Sequence, residues 1–215
     1  MNQAISVIGR WSDGSGAPRI PDFRQLLGST AWGRLAPAVQ QRFAAHSHGV
    51  ASVTTYCGRM KVQASFTGRC IAQLCRCIGT PVAPFVGDDV PVTVRVFDKV
   101  GGSGTVWERR YEFPDRAPMT VSSTKRLEPD GTLVEALGCG LRMSLDVFES
   151  DGALHFLSTG YFFQLGRMRI RLPAWLPPGA THVIHEDQGD GSFRFTMRTD
   201  HVRWGGMYLQ SGLFI

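Results

Sequence analysis

The sequence predicts an α+β fold: a large curved antiparallel sheet or partial barrel of about 8–10 strands, with two or three short helices from its N-terminal third. Three observations predict it. Apolar residues alternate with period two from Val90 onward, turn signals separate the alternating runs, and no long helical pattern intervenes to make parallel crossovers. Residues 1–20, rich in Gly, Ser and Pro, read as a flexible lead-in to one domain spanning 21–215. Phe23, Leu26 and Leu27 recur at helical spacing, as do Leu35, Val39 and Phe43 behind a Pro37 suited to open a second helix. A third helix is expected over 68–78, with Cys70, Ile71, Leu74, Cys75 and Ile78 on one face and Gly79, Pro81 and Pro84 ending it.

Val92, Val94 and Val96 alternate ahead of Gly101-Gly102-Ser103-Gly104, a hairpin loop followed by a partner strand over 105–113. Pro129-Asp130-Gly131, Ser150-Asp151-Gly152 and Gly189-Asp190-Gly191 are tight reversals between strands 120–128 and 132–136, 141–149 and 153–163, and 181–188 and 192–200. A last strand after Gly205-Gly206 ends at Phe214. Phe193, Phe195 and Met197 oppose Arg194, Thr196 and Arg198, and Leu141, Met143, Leu145 and Val147 repeat the pattern. Sheets of this size curl, split or close, so the early helices belong on or in a concave face.

The chain has 215 residues, 43% hydrophobic and 19% charged, which suits one globular domain. Its apolar runs fall short of the roughly 20 residues a membrane span needs. The N-terminus lacks the charge and apolar run of a secretion signal, and five cysteines, three of them crowded, fit reduced thiols in a cytoplasm. The formal charge of +5 is spread over scattered arginines, so no nucleic-acid footprint is expected.

Several segments in fixed order resemble the bacterial domain-of-unknown-function family 4166, found alone or joined C-terminally to saccharopine-dehydrogenase-like reductases. They are Phe23-Arg24-Gln25-Leu26-Leu27-Gly28 with Trp32 and Leu35; Val90-Pro91-Val92-Thr93-Val94; Val106-Trp107-Glu108-Arg109 with Tyr111; Glu135 with Gly138; Leu172-Pro173-Ala174-Trp175-Leu176-Pro177; Phe193-Arg194-Phe195; and Gly212-Leu213. Tyr111 stands where the family more often has Phe, and Cys139 where proline is expected. The resemblance implies a bacterial, cytoplasmic protein working beside a redox enzyme, and carries no activity. No reductase half is expected within these residues, because no Gly-x-Gly-x-x-Gly opens a strand–helix unit.

No catalytic motif stands out. Gly-x-Ser-x-Gly is absent, and Glu108, Glu112, Asp146 and Glu149 lie on strands, where pairing with arginine is the ordinary role. His182 and Glu186 share a strand face while His185 points away, so they chelate poorly; Cys70, Cys75 and Cys77 lack zinc spacing and suit helix packing. His46 and His48, on a loop, carry little weight as metal ligands, and neither metal nor cofactor is expected.

Trp107, Arg109, Tyr111 and Phe113 share one strand face, three aromatics around a guanidinium able to hold a carboxylate or phosphate. The candidate ligand site is Trp107, Arg109, Tyr111, Met143 and Phe195; the plain alternative is that Arg109 stacks on its neighbours and pairs with a carboxylate from the next strand. Arg167, Arg169 and Arg171 with Trp175 form a candidate membrane-surface contact, or an edge strand guarded by arginine. The expected function is binding of a hydrophobic small molecule or lipid, acidic if Arg109 anchors it. The alternatives are an enzyme or accessory subunit acting with an NAD(P)-dependent reductase, and a structural interaction domain.

Overall fold

Asp22 opens the first helix by accepting a hydrogen bond from the Gln25 amide at 3.1 Å, and α1 (Phe23–Arg34) then kinks at Gly28, whose φ of 75° is left-handed. Pro37 begins α2 (Pro37–Phe43), which buries Val39 and Phe43. The computed structural model describes residues 16–44, 53–76, 82–166 and 168–215. Most of the lead-in, His46, His48, Cys77, Ile78, Gly79, Pro81 and Arg167 lie outside the described residues.

Among the described residues there are eleven strands, those after Val90 divided by the expected reversals: β1 (Thr54–Ala64), β2 (Gly87–Asp98), β3 (Thr105–Tyr111), β4 (Met119–Leu127), β5 (Leu133–Gly138), β6 (Leu141–Ser150), β7 (Ala153–Leu165), β8 (Met168–Arg171), β9 (Ala180–Asp187), β10 (Phe193–His201) and β11 (Gly205–Phe214). Their antiparallel neighbours run β6-β5-β4-β3-β2-β1-β11-β10-β9-β7, and β6 pairs with β7. The expectation of an open curved sheet or partial barrel is therefore corrected to a closed ring of ten strands, with β8 hanging outside it. Closure comes from the length of β7. One edge pairs with β6, while the other serves β9 over Leu154–Leu157 and β8 over Phe162–Leu165. A bulge between Ser144 and Leu145 helps the wall bend, and closure removes the exposed edges of an open sheet.

Strand β1 went unforeseen. Its inward row of Tyr56, Gly58, Met60 and Val62 is interrupted by a glycine, which conceals the alternation. The seam with β11 demands that glycine: a Cβ at Gly58 would lie 2.1 Å from the Leu213 carbonyl oxygen. Helix α3 (Phe66–Cys75), capped by Ser65, also departs from expectation. It rests on Gly68 and Ala72, with Ile71 partly buried beside them and Leu74 left exposed, because Tyr208 Oη donates to the Gly68 carbonyl at 2.8 Å and holds the backbone close. The cysteine-packing reading fails for Cys70, which is exposed, whereas Cys75 is half-buried and lines the space beneath the helix; Cys57 and Cys139 are exposed too, and all four are free thiols.

The barrel is closed at its two ends by different devices. α2 drives Phe43 between Phe23, Phe156 and Trp107, at ring separations of 5.4–5.9 Å. α3 lies against β11 through Ala72, Met207 and Tyr208. Between the two, inward side chains fill most of the interior.

Candidate functional site

Strand parity carries three charged side chains into this apolar interior. On β3, Trp107, Arg109 and Tyr111 face inward while Glu108 and Arg110 face out; β4 turns Ser123 and Lys125 inward, and β5 places Glu135 directly opposite Lys125. Glu135 Oε2 lies 3.2 Å from Lys125 Nζ, and Ser123 Oγ donates to Glu135 Oε1 at 2.5 Å. Arg109 stands farther off, with NH2 at 3.9 Å from Glu135 Oε1, too long for a hydrogen bond. The three side chains are only 5–9% exposed, so two cations face one carboxylate in a poorly solvated space.

That excess of positive charge governs the titration of the cluster. Burial pushes the Lys125 ammonium down, Glu135 pulls it back, and Arg109 pushes it down again. Burial alone would raise the Glu135 carboxyl, but Lys125 and Arg109 outweigh it and hold the group below the usual carboxylate range. Lys125 Nζ also lies 5.0 Å from the Trp107 ring centre and 5.4 Å from that of Phe156, contacts that share its charge with aromatic faces.

The plain alternative for Arg109 is thus met only in part. Its carboxylate neighbour sits on β5, one strand beyond the adjacent β4, and is already engaged by Lys125 and Ser123. Among the described residues Arg109 forms no hydrogen bond.

Space lies on both sides of this charged layer. Toward α3 a cavity of about 60 Å³, open at one side, is lined by Arg109, Lys125, Glu135, Met143, Tyr161 and Met197, with Ile71, Ala72 and Cys75 above. Toward α2 a void of about 20 Å³ is lined by Trp107, Arg109, His185, Phe193 and Phe195 among others. Of the expected site residues, Arg109 borders both spaces, Met143 the first, and Trp107 and Phe195 the second. Tyr111 borders neither: it is fully buried, and its hydroxyl donates to Gln210 at 3.1 Å.

His185, only 3% exposed, is packed edge-on against Phe43 at 4.9 Å and Phe195 at 5.4 Å, and its Nδ1 has no hydrogen-bond partner among the described residues. Burial, then Arg42, Lys125 and Arg109, push its pKa well below 6.5, so the folded protein keeps it neutral. The unfolded chain takes up this proton below about pH 6.5 while the folded chain does not, so stability is full above that pH and falls below it. His185→Leu is expected to flatten this acid slope by up to about 1.4 kcal/mol per pH unit, read from urea unfolding between about pH 5 and 7.

The remaining candidates scatter. His182 faces outward with Nε2 3.0 Å from His155 Nδ1, away from His185. No three potential metal ligands gather among the described residues. Glu108 pairs with Arg95 on the neighbouring strand, Glu112, just past the end of β3, with Arg110 of β3, and Glu149 with Arg34 of α1. In the expected membrane set, Arg169 is held by Glu128 at 3.0 Å and Asp130 at 3.3 Å, Arg171 is exposed, and Trp175 is 56% exposed.

Lys125, Glu135 and His185 were missed as site residues. The available signal was a charged residue inside an apolar alternating row: Lys125 between Ser123 and Leu127, and Glu135 between Leu133 and Leu137.

A family model described as a domain of unknown function (DUF4166) matches residues 35–214, a span containing all eleven strands, α2 and α3. No curated protein matches the chain. No described helix is long and apolar enough to cross a membrane.

Proposed function

We propose that this chain, which belongs to the DUF4166 family, is a binding protein for an apolar molecule carrying one carboxylate or phosphate group. The single observation behind this reading is the buried Arg109 guanidinium, which borders the cavity, forms no hydrogen bond among the described residues, and belongs to a group of two cations and one carboxylate. A ligand anion would give Arg109 a bidentate partner and cancel the surplus charge, and a charge-assisted pair in such a poorly solvated place is strong. Leu137, Leu141, Met143, Val183 and Met197 supply apolar surface around it. The deep part of the cavity suits a head group and a few carbons, and a longer chain would leave through the mouth past Cys75 and Pro178.

Native mass spectrometry of the purified protein and calorimetric titration with medium-chain fatty acids test the reading. Arg109→Ala is expected to weaken binding of the acid by about tenfold to a hundredfold, while the matching alcohol binds both proteins equally poorly. Equal affinity of parent and variant for the acid would overturn the anchoring role of Arg109.

A further inference from the structure

The mouth of the cavity is framed by three segments. α3 contributes Ile71 and Cys75, and residues 172–179 contribute Pro178. An adjoining groove lined by Arg171, Pro177 and Val202 brings in the turn between β10 and β11. The last two segments are tied together, since His201 Nε2 lies 3.2 Å from the Trp175 carbonyl oxygen and the Trp204 ring stacks on His201 at 4.2 Å.

All three segments expose large apolar side chains. Phe66 and Leu74 of α3 are 74% and 73% exposed, Trp175 and Leu176 56% and 52%, and Val202 and Trp204 76% and 50%. Scattered surface apolars need no explanation, but paired ones on every lip of one opening do. Charge follows the same pattern. Residues 65–76, 168–179 and 201–209 contain five arginines and not one Asp or Glu. Arg169 is taken by Glu128 and Asp130, whereas Arg69, Arg76, Arg171 and Arg203 are exposed and have no carboxylate partner among the described residues.

We propose that this rim docks the barrel mouth-down on an anionic lipid bilayer, with Trp175, Trp204 and Leu74 entering the interface and the arginines meeting headgroups. Half-exposed tryptophans beside uncompensated arginines are the side chains that such an interface favours. A second copy of the chain would oppose arginine to arginine, so the charge pattern argues against self-association through this face. The proposal does not depend on what the cavity holds.

The test is co-sedimentation with vesicles of phosphatidylcholine alone or mixed with phosphatidylglycerol, with tryptophan emission recorded in parallel. Binding is expected only with phosphatidylglycerol, weakening as salt rises, with a blue shift that disappears in the Trp175→Phe/Trp204→Phe protein. Arg171→Glu/Arg203→Glu is expected to reduce partitioning by at least about tenfold, and Leu74→Ser to reduce it with the charges intact. Thermal melts establish that each variant is folded. Arg109→Ala is expected to bind vesicles as the parent does, so a failed anchor and a failed docking face give different results. No binding to the anionic vesicles, or binding that the rim variants leave unchanged, would overturn the proposal.

Discussion

Glu135→Gln is expected to destabilise the barrel by about 3–5 kcal/mol, because it leaves Lys125 and Arg109 buried side by side without a counter-charge. For a chain of this length that is a fall in melting temperature of about 6–20 °C. The amide still accepts from Ser123, so loss of charge is the main change. Two controls separate charge from packing. Adding Lys125→Met to Glu135→Gln is expected to restore most of the loss, since a buried ion pair replaced by apolar groups is often neutral. An acidic ligand is expected to raise the melting temperature of Glu135→Gln more than that of the parent. A loss below about 1 kcal/mol would mean that water already compensates the two cations.

Phe43→Ala is the second substitution with a large expected effect, about 3–5 kcal/mol, because the ring is 4% exposed and meets three aromatic rings and an imidazole. Its consequence extends past stability. The ring forms part of the cover between the His185 imidazole and solvent, and its removal lets water approach a group whose pKa is lowered chiefly by burial. The His185 pKa is therefore expected to rise toward 6.5 in the variant, followed by the imidazole proton resonances in a pH titration. An unshifted pKa would place the barrier to water elsewhere, with the neighbouring arginines and lysine as the main cause.

The strands after Val90 were legible because each reversal carries its own chemistry: Asp130-Gly131, Asp151-Gly152 and Asp190-Gly191 each place a left-handed glycine after an aspartate. Parity was equally legible. It put His182 and His185 on opposite faces, and Trp107, Arg109 and Tyr111 on one. What local sequence does not encode is which strands become neighbours. That Lys125 faces Glu135 depends on the β4–β5 register, and ring closure depends on β7 serving β6, β8 and β9 together. Helix α3 departs for a related reason: the close backbone approach at Gly68 turns the helix so that Ile71 and Cys75 stay on the packed side while Cys70 and Leu74 face out.

The seam that joins β1 to β11 pairs Met60 with Gly212, residues from opposite parts of the sequence. On the ribosome β1 emerges well before its partner; β2 covers one of its edges soon after, but the other must wait, its backbone groups unmatched, until the last strand appears. A contact of such long range demands a large loss of chain entropy before it returns any stabilisation, so sealing the seam is the slow step expected in refolding. Throughout that delay the incomplete ring is open to pairing with strands of other nascent chains.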